Sequence, residues 1–148
     1  MTGTKIRPAR FEDIEDMTTL LALLFSIEED FDFDAQRQQR GLNLMLQNNN
    51  GIILVAESDS RVVGMCMGQL MVSTAEGGWS MLVEDVVILP DFRKRGLARL
   101  LLDSLAVWGT ARGVCRLQLL ADINNSSAHR FYEHLGWQRT ALGCFKKY

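Results

Sequence analysis

The stretch Val86-Val87-Ile88-Leu89-Pro90-Asp91-Phe92-Arg93-Lys94-Arg95-Gly96-Leu97-Ala98 joins an apolar run to a basic turn and then to a helical pattern opening at a glycine. The first turn of a helix carries unpaired N–H groups and a partial positive charge, so it binds anions. Gly96 and the small Ala98 allow an anion close to the backbone, and Arg93, Lys94, Arg95 and Arg99 add charge. From the residues alone the stretch is either a phosphate cradle or a solvated basic turn that caps a helix. Neither Gly-x-Gly-x-x-Gly nor Gly-x-x-x-x-Gly-Lys-Ser/Thr occurs in the chain, so the dinucleotide and Walker loops are excluded.

Other groups with chemical potential lie around it. Glu84 and Asp85 are adjacent acids inside the apolar run Trp79–Leu89. A buried carboxylate needs a partner or a water-filled cleft. Neighbours on a regular strand face opposite sides, so at most one of the two serves a cleft unless a bulge intervenes. Tyr132 shares a helical face with Ala128, Phe131 and Leu135; it is a space-filling aromatic or, with a phenol pKa near ~10, a proton donor. Glu28, Glu29, Asp30, Asp32 and Asp34 place five acids among seven residues, which suits a solvated loop before a helix N-terminus. Asn125 reads as a helix N-cap. His129 and His134 are five apart rather than the four a metal pair prefers, and no metal site is expected.

The elements that must position these groups follow from periodicity. Lys5–Arg7 reads as extended. Phe11–Phe25 carries Ile14, Met17, Leu21 and Leu24 at helical spacing, and a second helix starts at Asp34 and ends before Asn48-Asn49-Asn50-Gly51. Ile52–Glu57, Val62–Val72 and Trp79–Leu89 read as strands joined by turns at Asp59-Ser60 and Ala75–Gly78. A helix over Arg95–Ala111, a strand over Cys115–Ala121 and a helix over Asn125–Leu135 follow, the last ended by Gly136 in the left-handed C′ position. Trp137–Tyr148 supplies one or two final strands. Strands in runs and then alternating with helices imply an α/β chain with a mixed sheet, antiparallel first and parallel later.

With 148 residues, 47% hydrophobic and 23% charged, the chain is one globular domain by length and composition. A net charge of −2 leaves no global field to hold nucleic acid. The longest apolar run, Leu20–Phe25, is six residues, far below the ~20 a membrane span needs, and MTGTKIRPAR lacks the apolar stretch of a signal peptide. Cys66, Cys115 and Cys144 are odd in number and widely spaced, fitting neither a disulfide framework nor a zinc knuckle. A cytoplasmic protein with reduced thiols is expected.

Two motifs together point further. Arg93-x-x-Gly96-x-Ala98 after the apolar strand resembles the acetyl-CoA loop of the GCN5-related N-acetyltransferases (GNAT), and Asn125-Ser126-Ser127-Ala128-His129-Arg130-Phe131-Tyr132-Glu133-His134-Leu135-Gly136-Trp137 resembles that family's second signature. The resemblance implies a single N-acetyltransferase domain over residues 1–148, with a mixed central sheet of six to seven strands and about four helices on both faces. It implies acetyl-CoA as cosubstrate and no metal. Arg93 then begins the loop, the amides of Lys94, Arg95, Gly96, Leu97, Ala98 and Arg99 cradle the pyrophosphate, and Val86, Val87 and Ile88 pair with the pantetheine arm along an open strand edge. Asn125 and Ser127 fall where the family contacts CoA or substrate. Tyr132 becomes the acid facing the CoA sulfur. Glu84 becomes the general base acting through water, an ion pair with an arginine being the other reading of it, and Asp85 is left as structural. Glu28, Glu29 and Asp30 fall in the loop that lines the acceptor site, where they would attract a cationic amine. The expected partner is a small-molecule or peptide amine, with no nucleic acid and no membrane; homodimers are frequent in the family. A non-catalytic acyl-CoA sensor using the same loop is the competing class, and fold alone leaves the acceptor open.

Overall fold

The structure is a computed structural model that describes residues 3–148. A five-stranded sheet, ordered β1-β2-β3-β4-β5 from Lys5–Pro8, Gly51–Ser58, Arg61–Ser73, Gly78–Ile88 and Val114–Leu119, forms its centre. The first three pairings are antiparallel and β4–β5 is parallel. The mixed sheet has the expected order of strand directions, because hairpins join β2, β3 and β4 whereas a helix must cross over between β4 and β5.

Alternation along the strands sends side chains to two separate cores. Ile53 and Val55 of β2 and Met65 and Met67 of β3 face helices α1 (Ile14–Ile27) and α2 (Ala35–Leu46), which contribute Met17, Leu20, Leu21, Leu42 and Met45. Leu54, Ala56, Val63 and Cys66 face the other side, where α3 (Leu97–Thr110) buries Leu97, Leu101, Leu102 and Leu105. Helix α4 (Ser126–His134) lays Phe131, Tyr132 and Leu135 on this second core. Each such buried leucine contributes about 1.5–3 kcal/mol, so the helices are held by their apolar faces rather than by propensity. Gly68 lets α3 and β4 close onto the sheet, since a Cβ there would lie 2.5 Å from Met81 Sδ.

Local chemistry sets the ends. Asp34 caps α2 by accepting from the Arg37 amide at 3.2 Å. Gly136 takes φ 94° after α4, and the amide of Trp137 donates to the carbonyl of Tyr132, as a left-handed C′ residue requires. Arg7 grips both Asp13 carboxylate oxygens, at 2.8 and 2.9 Å, and also Glu57, tying β1 to β2 and to the start of α1. That guanidinium holds the Asp13 carboxyl below its usual range.

Two expectations need correction. The sheet has five strands among the described residues rather than six to seven. Trp137–Tyr148, expected as one or two strands, has no regular structure, because its backbone enters no ladder with any strand among the described residues. No helix of the described residues is long and apolar enough to cross a membrane.

Candidate active site

The site begins where two strands part. The β4–β5 ladder ends at Val83↔Leu119, whereas β4 stays paired with β3 as far as Ile88↔Gly64. Residues 84–88 therefore have a ladder partner on one side only. Arg93 uses part of this edge: its Nε donates to the Ile88 carbonyl at 3.1 Å, folding the basic turn back onto the strand end.

The turn itself runs through a short 3-10 segment, Pro90–Phe92, and reaches α3 through two left-handed residues, Lys94 at φ 61° and Gly96 at φ 77°. The amides of residues 94–99 donate to no protein acceptor among the described residues; the next one, Leu100, bonds to the Gly96 carbonyl at 3.1 Å. A Cβ on Gly96 would meet no atom within 4 Å, so glycine answers here to the backbone angle and to the open space in front of it. Lys94, Arg95 and Arg99 are exposed around this opening, Arg95 lying 5.0 Å over the Phe92 ring.

Opposite the parting strands, β4 is irregular. Met65↔Val87 and Met67↔Glu84 are partners, so Asp85 and Val86 together oppose Cys66 in a β-bulge, and Asp85 takes φ 53°. The extra residue breaks the alternation. Val83 and Val86 face the α3 core, while Glu84, paired with Met67, and Asp85 both face the α1–α2 side. Asp85 lies in a cavity of about 380 Å³ lined also by Leu21, Phe25, Arg37, Gln38 and Gln69. Burial and the nearby Glu84 and Glu28 push its carboxyl up to about 7. Glu84 is more exposed than Asp85, and partial burial raises its carboxyl too.

The acidic loop contributes Glu28 to the same place. Its carboxyl is raised by burial and by Asp122, Glu84 and Asp30, which brings the end of α1, the bulge of β4 and the loop after β5 within electrostatic reach of one another. Phe31 of this loop packs on Phe25, with ring centroids 5.4 Å apart. Tyr132 enters from α4, packed edge-on against Phe131 and Trp137. Burial, with Cys66 and Glu28 nearby, pushes its phenol up to about 12, so it stays protonated.

The structure thus brings Glu28 within electrostatic reach of Glu84 and Tyr132, and also of Asp85 and Asp122, which sequence reasoning did not place there. The others stand apart. Glu29 and Ser127 are exposed, and Asp30 pairs with Lys146. Asn125 caps α4 by accepting from the Ala128 amide at 3.1 Å. His129 bridges the Asp122 carbonyl and Arg139, at 2.8 and 2.7 Å, a structural tie at the base of α4.

Comparison with known proteins gives the following. The profile of a family described as "Acetyltransferase (GNAT) family" matches residues 14–137. Streptothricin acetyltransferase A of Bacillus subtilis is 31% identical over 70 residues, which are 47% of this chain and 40% of that protein. The match therefore spans less than half of that curated relative. Among solved structures, a transcriptional regulator from Bacillus halodurans superposes with a TM-score of 0.86 at 25% identity, covering 99% of this chain and 100% of that one. An aminoglycoside N-acetyltransferase, AAC(6')-Iy, in complex with CoA superposes with a TM-score of 0.87 at 19% identity, covering 100% and 96%.

Proposed function

This chain belongs to the acetyltransferase (GNAT) family, and from that premise we propose that it transfers acetyl from acetyl-CoA directly to a primary amine, with a cationic acceptor preferred. The observation that carries the reading is the run of amides at residues 94–99, left without acceptors among the described residues in front of an open space at Gly96. Such amides suit a pyrophosphate. The one-sided edge of β4 at residues 84–88 suits the two amides of a pantetheine arm, which can lie beside it as a further strand does. Val86, Val87 and Ile88 would hold that arm, and the basic side chains of Lys94, Arg95 and Arg99 the phosphates.

The reaction needs no enzyme nucleophile. The amine nitrogen attacks the thioester carbonyl, the carbon–sulfur bond breaks, and an amide and a thiol form. Before attack the ammonium must lose a proton, and the carboxylates at the bulge are suited to take it, directly or through water. Glu84 and Asp85 share that role in this reading; Asp85, at a carboxyl pKa near neutrality, is the deeper and the better matched of the two. Tyr132 supplies a proton to the departing sulfur. Glu28, Glu84, Asp85 and Asp122 together favour a positively charged acceptor at the cleft. The relatives named for streptothricin and aminoglycoside acetylation are consistent with a small-molecule amine.

A similar structure described as a transcriptional regulator favours a second reading, a non-catalytic acyl-CoA sensor. Thiol release from acetyl-CoA separates the two. With spermidine and a neutral amine compared at equal concentration, the enzyme reading expects amine-dependent thiol release, faster with spermidine. Tight CoA binding with no turnover on any amine of a broad panel decides for the sensor.

A further inference from the structure

The cavity that holds Asp85 also holds a cation. Arg37, exposed on the first turn of α2, lines it together with Gln69. Gln69 follows Met65 and Met67 at every second residue of β3, so alternation turns it to the same α1–α2 face. The side chains of Arg37, Gln69 and Asp85 make no hydrogen bond and no ion pair among the described residues. Their polar neighbours are engaged: Gln38 accepts from the Asp34 amide at 2.7 Å, and Asn48 from the Asn50 amide at 2.9 Å. Asp34 gives its carboxylate to the α2 cap, accepting from the Arg37 amide rather than from the guanidinium. The remaining walls are mainly apolar, with Leu21, Phe25, Met45 and Met67 among them. A mainly apolar cavity with a few convergent polar groups is the usual form of a small-molecule site.

The two charged groups of this cavity stand apart. They make no ion pair, and the charges that act on the Asp85 carboxyl are those of Glu84 and Glu28, not that of Arg37. A ligand that serves both must therefore hold its own two charges apart. We propose that Arg37 reads a carboxylate at the far end of the acceptor, which makes the preferred acceptor an ω-amino acid, with its ammonium beside Asp85 and its chain on the apolar walls. The planar guanidinium fork matches a carboxylate, and the unused Gln69 amide offers a further donor. This deepens the acetyl-transfer reading and rests on it for the ammonium end: the acids of the cleft select that end, and Arg37 selects the other.

The CoA-loaded chain is titrated with 6-aminohexanoate, 6-aminohexanamide and 1,6-diaminohexane, read by NMR at the Arg37 Nε–H and the Gln69 side-chain amide. The same three amines are compared by thiol release from acetyl-CoA. The carboxylate is expected to bind about tenfold more tightly than the amide, to shift both resonances, and to lead in kcat/KM by a similar factor. Arg37→Ala should remove that preference, and Arg37→Glu should turn it towards the diamine. Neither change disturbs the core or the cap, since Arg37 is exposed and only its backbone amide meets Asp34. Equal binding of carboxylate and amide overturns the proposal. So does tighter binding of the diamine by the wild type, or a preference that Arg37→Ala leaves intact. Absence of thiol release with every amine defeats the transfer reading instead, and the titration still decides what Arg37 binds.

Discussion

Glu84 and Asp85, consecutive in the chain, present their carboxylates to the same face of the sheet, because Asp85 at φ 53° doubles with Val86 opposite Cys66. Two acids so placed repel, and the deeper one holds its proton to near neutral pH. If that acid accepts the substrate's proton, kcat/KM must rise with pH through about 7 and level above it. Asp85→Asn is expected to abolish this limb and lower kcat about a hundredfold, whereas Glu84→Gln keeps the limb and moves it to lower pH by removing a like charge. The pH–rate profiles of the two variants check this.

The same group sets a stability cost. Asp85 has its folded carboxyl raised to about 7 from 3.8, so the folded state binds the proton more tightly than the unfolded one. Stability then falls as pH rises from about 4 to 7 and is constant above, a loss of about 4 kcal/mol. Asp85→Asn is expected to raise Tm by several degrees at pH 8 and to leave it nearly unchanged at pH 4. Thermal unfolding at the two pH values reads the difference.

Tyr132→Phe removes a hydroxyl and keeps the ring contacts with Phe131 and Trp137. A thiolate is a tolerable leaving group, so the expected loss is at the lower end for an acid, roughly ten- to a hundredfold in kcat. Affinity for CoA, measured by calorimetry, should be unchanged.

Gly96→Asp places a negative side chain into the space before the loop amides and forces a non-glycine residue to φ 77°. Loss of charge-assisted hydrogen bonds costs about 1.5–3 kcal/mol each, so CoA should bind ten- to a hundredfold more weakly. Gly96→Ala, which carries the backbone strain without the charge, is expected to lose less. Equal affinities for wild type and Gly96→Asp would contradict the placement of the loop.

The helices, the hairpins and the basic turn were legible in the sequence because apolar spacing and turn residues specify them locally. Asp34, Asn125 and Gly136 act at helix ends as their types require. The parting of β4 from β5 was not legible, since it depends on where β5 stops pairing, at Leu119, and no local signal marks that residue. The bulge was foreseeable only as a condition: without one, at most one of the two adjacent acids could serve a cleft, and their residue types do not say that a bulge is there. Glu28 comes within electrostatic reach of Glu84 and Asp122 through tertiary packing, which no local signal in the acidic run specifies. Trp137–Tyr148 misled because strand-like composition makes a strand only where an edge pairs with it, and the segment enters no ladder among the described residues.

Amide NMR of the ¹⁵N-labelled chain, titrated with acetyl-CoA, tests the central claim at the atoms it names. The amides of Lys94, Arg95, Gly96, Leu97, Ala98 and Arg99 should shift most, and those of residues 86–88 should follow. Binding that moves other amides while these six stay in place, or no binding at all, would contradict it.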